Sequence, residues 1–299
     1  MKNLVVLTGP TGVGKTELAL VVAQRLGIPI INADSRQIFA DIPIGTAAPT
    51  KEQQQLVKHY FVGILQLEDY YSAARFEEDV MNLLRSLFKE SDVALMTGGS
   101  MMYIDAVCKG IDEIPVIRED IRDCVKNDYQ NKGLASLLEE LKVRDPEYYN
   151  TVDKQNTKRV LHAIEICRQT NGTYTSLRKK SNKKRPFNII KIGLNRPREE
   201  LYERINQRVL TMMDEGFLQE AERLYSKRHL NALNTVGYKE LFQYIDGEYS
   251  IDEAITRIQG RTREYCRKQL TWYRRDNEIQ WFHPTATTAV LEYIKRNIK

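Results

Sequence analysis

The sequence predicts an α/β fold, in which a central parallel sheet is flanked by helices and the chain is interrupted by a helical insertion domain. Short apolar runs of strand type, such as residues 4–8 and 93–97, alternate with segments of helical spacing such as 72–89. This alternation is typical of a parallel sheet covered by helices. A glycine-rich segment directly follows the first strand. Between about residues 116 and 185 strand character is lost and helical periodicity prevails.

The glycine-rich segment reads GPTGVGKT and matches the pattern GxxxxGK[ST]. With a strand before it and a helical pattern over residues 17–26 after it, such a segment forms a phosphate-binding loop, or P-loop. Backbone N–H groups of the loop and of the helix N-terminus can point at one anion. Lys15 adds a cation and the Thr16 hydroxyl a ligand for Mg²⁺. The alternative is a glycine-rich turn without a ligand. The residues predicted to bind a diphosphate are Gly9, Pro10, Thr11, Gly12, Val13, Gly14, Lys15 and Thr16.

A second buried strand, over residues 28–33, ends at Asp34. Open α/β sheets bind ligands at the carboxyl ends of their strands, so this carboxylate is a candidate site residue. Its alternative role is a helix cap. The strand over residues 93–97 ends in Thr97, where nucleotide hydrolases usually have a metal-binding Asp. Gly98, Gly99 and Ser100 follow, and they either bring a hydroxyl close to a ligand or form an ordinary tight turn.

The elements between these strands and within the insertion follow from apolar spacing. We expect a strand over residues 59–64 and a helix over 72–89 whose buried face includes Phe76, Val80 and Leu84. Helical periodicity continues through the insertion, which spans residues 116–185. The insertion closes on RKKSNKKR at 178–185, in which six of eight residues are basic. We interpret this run as a mobile loop that is either a solvated charge cluster or a polyanion contact.

The remaining core, residues 186–299 together with 1–115, forms a P-loop NTPase-like domain with basic C-terminal helices. Strand character returns over residues 186–194, and Pro197 precedes a helix over 198–215 on which Arg204 and Arg208 share a face. Ser250 and Glu253 predict a capping box for a long helix that extends to about residue 275. Basic residues and the aromatic residues Tyr265, Trp272 and Tyr273 alternate on one face of this helix. Such a face suits either nucleic acid or solvent.

Composition limits the class of protein. The 299 residues are 42% hydrophobic and 28% charged, which is typical of a globular protein with one large domain or two smaller ones. The four cysteines form no CxxC pair, which argues against a zinc site or a disulfide framework and indicates a reducing compartment. Since no apolar run approaches membrane-spanning length, we expect a cytoplasmic protein with no membrane partner. The net charge of +5 is mild.

Seven stretches resemble the tRNA dimethylallyltransferases, also called isopentenyl-diphosphate:tRNA transferases, in their bacterial form. They come in the family's order and span nearly the whole chain. The stretches are GPTGVGKT (9–16), NADSRQIF (32–39), IGTAAP (44–49), GGSMMY (98–103), QNTKR (155–159), NTVGYK (234–239) and RKQLTWYR (267–274). The first is shared by all P-loop proteins, whereas DSRQ, GTA-P and RKQLTWYR together are specific. The zinc finger that eukaryotic members append has no ligands in this sequence.

The resemblance implies a prenyl transfer. A dimethylallyl group would move from dimethylallyl diphosphate to the exocyclic N6 amine of the adenosine 3′-adjacent to the anticodon, at position 37, in tRNAs that read codons starting with U. Mg²⁺ would be the cofactor. The implied catalytic residues are Asp34 as the base, Ser100 as a hydrogen-bond partner of the bridging oxygen, and Lys15 and Arg208 as stabilisers of the leaving group. Ser100 stands where a threonine is common in the family.

The resemblance also implies that the insertion clamps the tRNA anticodon stem-loop, and we expect the protein to be a monomer. The residues expected to contact tRNA are Asp34, Ser35, Arg36, Gln37, Ser100, Arg122, Gln155, Asn156, Thr157, Lys158, Arg159, Gly237, Tyr238, Lys239, Arg267, Lys268, Gln269, Trp272 and Arg274.

Three other functions compete with this one. A P-loop kinase of a small metabolite would use Asp34 to position the acceptor hydroxyl, but it leaves the basic second half of the chain without a role. An RNA-binding ATPase is disfavoured by the absent metal-binding Asp. An adenylate isopentenyltransferase would prenylate free AMP, ADP or ATP. A mononucleotide acceptor requires no helical insertion and no basic helix, which favours tRNA.

Overall fold

A parallel sheet forms the centre of the chain's computed structural model, which describes residues 1–112, 114–178 and 183–299. Within those residues the strands are β1 (Asn3–Thr8), β2 (Ile30–Asn32), β3 (His59–Tyr60), β4 (Val93–Thr97), β5 (Asn188–Leu194) and β6 (Gln280–Phe282). They lie in the order β3-β2-β4-β1-β5-β6, and neighbouring strands are parallel. The predicted α/β class with a central parallel sheet is confirmed.

Helices connect the strands and cover the sheet. In chain order, the α-helices of the described residues are α1 (Lys15–Leu26), α2 (Lys51–Leu56), α3 (Ala73–Glu90), α4 (Met101–Lys109), α5 (Glu119–Arg144), α6 (Pro146–Thr151), α7 (Thr157–Thr170), α8 (Tyr174–Leu177), α9 (Arg198–Asp214), α10 (Phe217–Leu224), α11 (Tyr238–Ile245), α12 (Ile251–Tyr273) and α13 (Thr287–Asn297). In this part of the chain, no helix combines the length and the apolar character that crossing a membrane requires.

Strand β1 lies between β4 and β5 and is buried on both faces of the sheet. Its side chains alternate, so that Leu4 and Val6 join one apolar cluster while Val5 and Leu7 join the other. Two-sided burial explains the continuous apolar run, since both faces of a parallel sheet are covered by helices. The P-loop begins at the carboxyl end of β1, next to the carboxyl ends of β4 and β5.

The chain divides into two compact units, Met1–Cys108 with Lys184–Lys299 and the intervening Lys109–Lys183. The sequence puts these boundaries at residues 115 and 185. The second unit consists of α5–α8 around an apolar cluster that includes Val125, Leu137 and Val160. Asp145 is buried there and accepts hydrogen bonds from the backbone N–H groups of Tyr148 at 3.0 Å and Thr175 at 2.8 Å. Its carboxylate therefore joins α6 to α8.

The basic run at 178–185 is described only in part, because residues 179–182 lie outside the described residues. Arg185, its last member, is not a solvated charge. Its side chain is 7% exposed, pairs with Glu77 at 2.7 Å and donates to the carbonyl oxygens of Ala106 and Val107. Arg185 therefore satisfies carbonyl groups near the end of α4, and we exclude it from the predicted polyanion contact.

Several elements depart from the sequence-based expectations. Strand β3 covers two residues of the expected 59–64, because Phe61 has a φ of +63° and leaves the extended region. The sequence did not predict α2, α4, α13 or β6. A capping box begins α2: the Thr50 hydroxyl accepts from the Gln53 N–H at 3.3 Å, and the Gln53 side chain accepts from the Thr50 N–H at 3.0 Å. This helix is only six residues long, so apolar periodicity does not reveal it.

Two predicted helices also differ in detail. The α5 helix is interrupted at Gly133, whose φ of +73° and ψ of 175° lie outside helical values. Ser250 caps α12 by accepting from the Glu253 N–H at 3.3 Å, as predicted, while the Glu253 carboxylate pairs with Arg257 at 2.8 Å. On α12, Tyr273 is 3% exposed and belongs to the core. Its prediction as part of a basic, aromatic surface is therefore wrong.

Candidate active site

The P-loop joins β1 to α1 at the carboxyl edge of the sheet. Helix α1 begins at Lys15, so its unpaired first-turn N–H groups adjoin the loop. The Lys15 ammonium donates to the carbonyl oxygens of Gly9 at 2.9 Å and Pro10 at 2.8 Å. Burial and the neighbouring Arg208 guanidinium lower the pKa of Lys15 to about 8. The loop therefore carries a cation whose charge changes near neutral pH.

Three arginines from the segment around α9 bind consecutive residues of the P-loop. Arg208 Nη1 donates to the Thr11 hydroxyl at 3.1 Å, Arg204 Nε to the Gly12 carbonyl at 2.9 Å, and Arg196 Nε to the Val13 carbonyl at 2.8 Å. Burial lowers the pKa of Arg208, but a guanidinium remains charged in proteins. Arg196 also pairs with Glu200, and Arg204 lies 3.6 Å from Glu17. The charge of Arg208 beside Thr11 suits a polyphosphate. The sequence indicated Arg204 and Arg208 by their spacing, whereas Arg196 precedes the helix and had no such signal.

Asp34 is half-buried and lies two residues after the end of β2. Its Oδ1 accepts from the backbone N–H groups of Arg36 at 2.9 Å and Gln37 at 3.3 Å. The alternative role as a helix cap is wrong, because residues 35–38 form a turn and the next helix of the described residues is α2; this oxygen holds that turn. The other oxygen, Oδ2, lies on the side of Gly99, 3.6 Å from the point that a Cβ would occupy there. One carboxylate can thus both hold its turn and present an oxygen to a ligand.

Ser100 is held by Ser35. Its hydroxyl accepts from the Ser35 N–H at 2.8 Å and donates to the Ser35 hydroxyl at 3.0 Å. This contact needs a close approach of β4 to β2, since a Cβ at Gly98 would lie 2.1 Å from the Ala33 carbonyl oxygen. The glycine is therefore explained by backbone packing. The Ser100 hydroxyl has one hydrogen, and it donates this hydrogen to Ser35. To donate to a substrate oxygen, Ser100 would have to break its bond to the Ser35 hydroxyl.

Two cavities in the first unit meet at these residues. The larger has a volume of about 760 Å³ and is lined on one side by Gly12, Gly14, Lys15 and Thr16 of the P-loop. The smaller, of about 280 Å³, is lined by residues that include Ser35, Arg36 and Ser100. The residues that line both cavities are Thr11, Asp34, Thr46, Arg208, Met212 and Tyr265. Asp34 and Arg208 therefore lie where a phosphate-binding cavity meets a second one.

Comparison with known proteins identifies the family. The model of the IPP transferase family matches residues 37–276. A tRNA dimethylallyltransferase 2 from Parabacteroides distasonis is 58% identical over 298 residues, covering 100% of both chains. This chain belongs to the IPP transferase family. The resemblance found in its sequence motifs is thereby confirmed.

Other members agree with this assignment. A tRNA dimethylallyltransferase 1 from Bacteroides fragilis is 56% identical and covers 100% of this chain and 99% of its own. The solved structure of the full-length tRNA isopentenylpyrophosphate transferase from Bacillus halodurans has a TM-score of 0.73 at 30% identity, covering 100% of this chain and 97% of its own. A eukaryotic dimethylallyltransferase acting on tRNA has the same fold, with a TM-score of 0.79 at 21% identity over 99% of this chain and 77% of its own.

Within this IPP transferase family member, α12 contributes two side chains to the site. Gln269 is buried, accepts from the Thr11 N–H at 2.8 Å and donates to the Gly99 carbonyl at 2.8 Å. It joins the P-loop to the loop after β4, so its side chain already has two partners within the chain. Tyr265, one helical turn earlier, was not among the predicted site residues. Tyr265 as a whole is 37% exposed, and its hydroxyl donates to the Gly99 carbonyl at 3.4 Å.

Two predicted tRNA contacts in the DSRQ stretch already have partners within the chain. The Arg36 guanidinium donates to the Asn231 carbonyl at 3.0 Å. The Gln37 side-chain nitrogen donates to the carbonyl oxygens of Thr46 at 3.0 Å and Ala47 at 2.9 Å. Gln37 thus holds the loop that contains GTA-P.

The other predicted tRNA contacts of the first unit divide by exposure. Arg267, Lys268, Arg274 and Lys239 are exposed. Gly237 and Tyr238 are buried, and the Tyr238 hydroxyl donates to Glu220 within the chain. Trp272 is half-buried and donates to Asp105 at 2.9 Å. Its indole nitrogen therefore has a partner within the chain.

In the second unit, the QNTKR stretch begins α7. The Asn156 side chain caps this helix by accepting from the Arg159 N–H at 3.2 Å, and Thr157 is its first residue. Gln155, Lys158 and Arg159 of this stretch are exposed, and so is Arg122 on α5, which was also predicted to contact tRNA. Asn156 therefore has a structural role, whereas the other four side chains lie at the surface of the unit.

Proposed function

We propose that this protein transfers the dimethylallyl group of dimethylallyl diphosphate to N6 of the adenosine 3′-adjacent to the anticodon of tRNA. One observation carries the proposal: Asp34 and Arg208 line both cavities. A diphosphate bound in one cavity would there meet an acceptor bound in the other. The relatives named tRNA dimethylallyltransferases support the same reaction. Position 37 and tRNAs that read codons starting with U are the expected targets.

The larger cavity would bind the donor. Its P-loop side offers backbone N–H groups, Lys15 and the Arg208 guanidinium to a diphosphate. The Thr16 hydroxyl lines the same cavity. One hydroxyl together with phosphate oxygens and waters is a donor set that suits Mg²⁺, so the residues fit the expected cofactor. When bound, the ion would neutralise charge on the diphosphate.

The reaction is a nucleophilic substitution at the first carbon of the prenyl group. The N6 nitrogen forms a bond to this carbon as the bond from carbon to the diphosphate oxygen breaks, and that electron pair leaves with the diphosphate. The proton lost from N6 passes to the Asp34 carboxylate. Lys15 and Arg208 stabilise the charge that grows on the leaving group. An aromatic amine is a weak nucleophile, so its orientation by Asp34 contributes as well.

The smaller cavity would receive the acceptor base. An adenosine in an anticodon loop reaches a buried carbon only after it is flipped out of the stack. Tyr265 presents an exposed aromatic ring next to Asp34, and flipped bases commonly stack on such rings. Exposed basic residues of α12 would bind the RNA backbone, and the helical insertion would clamp the anticodon stem-loop. We expect a cytoplasmic monomer.

The small-metabolite kinase and the adenylate isopentenyltransferase make different predictions. Either would bind its acceptor without strong salt dependence, whereas tRNA binding through phosphate contacts weakens steeply with salt. The kinase would also consume ATP. The named relatives support tRNA as the acceptor over both alternatives.

The test incubates the purified protein with Mg²⁺ and radiolabelled dimethylallyl diphosphate, together with either unmodified tRNA or AMP. A parallel incubation contains ATP in place of dimethylallyl diphosphate. We expect label in tRNA alone. Label on AMP in place of tRNA would support the adenylate enzyme. ATP consumption without prenyl transfer would support the kinase.

A further inference from the structure

Glu220 of α10 is a buried acid to which the reaction proposed above gives no role. Its side chain is 3% exposed. Oε2 accepts from the Ile44 N–H at 3.0 Å and Oε1 from the Gly45 N–H at 2.8 Å. The Tyr238 hydroxyl donates to Oε1 as well. A buried carboxylate is costly unless it is well paired, and here three donors from distant parts of the chain satisfy it.

These bonds unite two sequence motifs that the proposed chemistry leaves unexplained. Gly45 belongs to IGTAAP and Tyr238 to NTVGYK. A Cβ at Gly45 would lie 2.3 Å from the Phe217 ring and 2.4 Å from the Tyr238 hydroxyl. The loop backbone therefore packs directly on these rings, and Glu220 fixes it there.

The same loop is fixed from its other side. The Gln37 side chain binds the Thr46 and Ala47 carbonyls, and the Thr46 hydroxyl donates to the Ile42 carbonyl at 2.7 Å. Ala47 has a φ of +46°, a conformation that a residue with a Cβ rarely adopts. Such a conformation persists only where its surroundings impose it. The loop is thus held in one shape by Gln37 and Glu220.

The loop forms much of the apolar wall of the larger cavity. Pro43, Ile44, Ala47 and Ala48 line it, and the P-loop lines the same cavity. A donor whose diphosphate lies on the P-loop would extend its hydrocarbon chain along apolar side chains. The position of this wall would therefore limit the length of the donor hydrocarbon chain that the cavity can hold.

We propose that Glu220 is a positioning residue that fixes the 43–48 loop and so restricts the donor to short allylic diphosphates. This inference rests on the proposed function. A Glu220→Gln substitution keeps the size of the side chain but turns one acceptor oxygen into an NH₂ group, which would face a backbone N–H of the loop. The loop would then lose one anchor, and the wall could move to admit a longer chain.

The test compares dimethylallyl diphosphate with the ten-carbon geranyl diphosphate as donors to tRNA, measured as the ratio of their kcat/KM values. The ratio does not depend on the fraction of folded protein. We expect Glu220→Gln to lower the preference for the shorter donor about tenfold, the effect of losing a hydrogen bond to a charged group. Tyr238→Phe removes one donor and should lower the preference about threefold. Glu222→Gln, at an exposed position of the same helix, should leave it unchanged.

An unchanged ratio in Glu220→Gln, whatever its absolute activity, would overturn the inference. Should that variant fail to fold, an unchanged ratio in Tyr238→Phe would overturn it instead. Failure of the wild-type protein to transfer from dimethylallyl diphosphate is a separate result, because it would contradict the proposed function itself.

Discussion

Lys15 is the P-loop residue whose ionisation the fold alters near physiological pH. Its pKa is lowered to about 8 because burial and Arg208 both disfavour the ammonium form. As the pH rises through this value, Lys15 loses the charge that attracts a diphosphate. We expect kcat/KM for the donor, which reports the free enzyme, to fall above about pH 8. Lys15→Ala should have lower activity and lack this decline. A decline of the same size in Lys15→Ala would assign it to another group.

Single residues with a local motif could be predicted from the sequence, and those with distant partners could not. Lys15, Thr16 and Asp34 follow directly from short patterns next to strands. Glu220 binds Ile44 and Gly45, which lie far from it along the chain, and no spacing rule indicates such a pairing. The hydroxyl of Ser100 was predicted to be near the site, but its bond to Ser35 depends on how two strand ends approach.

Helix α5 contains a kink at Gly133 that the apolar periodicity of the sequence did not reveal. The apolar spacing continues on both sides of Gly133, which has a φ of +73° and a ψ of 175°. This region is essentially restricted to glycine, and a Cβ there would meet no atom within 4 Å. On α7, Arg168 pairs with Asp128 at 2.7 Å before the kink and with Glu140 at 2.5 Å after it. These ion pairs explain how the kink is held.

We therefore expect Gly133→Ala to lower the free energy of unfolding by about 1–3 kcal/mol, the cost of placing a Cβ in this backbone conformation. Urea titration followed by circular dichroism measures it. Gly172→Ala, in the same unit and at a position without positive φ, is the control. A continuous helix would give the opposite sign, because alanine stabilises helix interiors relative to glycine.

Helix α12 illustrates what residue patterns cannot decide. The sequence correctly predicted a long helix that begins at Ser250 and is rich in basic residues. It did not indicate which aromatic side chains face outwards, because several apolar stripes fit the same periodicity. Burial assigns Tyr273 to the core and leaves Tyr265 at the cavities.

At the scale of the whole molecule, tRNA binding should depend on where positive charge lies as well as on the net charge of +5. Arg267 is exposed on α12 and donates to the Tyr202 hydroxyl at 3.1 Å. Arg267→Ala should weaken tRNA binding and reduce the salt slope by about one unit. Arg296→Ala, on the exposed part of α13, removes the same charge as a control. Equal losses in both variants would indicate a general charge effect rather than a local contact.

The most direct test of the account is the rate of transfer by Asp34→Asn in a single turnover, with tRNA affinity measured alongside. Asparagine keeps an oxygen to accept from the N–H groups of Arg36 and Gln37 and so preserves the turn, but it cannot act as the base. We predict a rate lower by about 10²–10⁴-fold with tRNA affinity nearly unchanged. A rate close to that of the wild type would contradict the account, since Asp34 would then serve only to hold its turn.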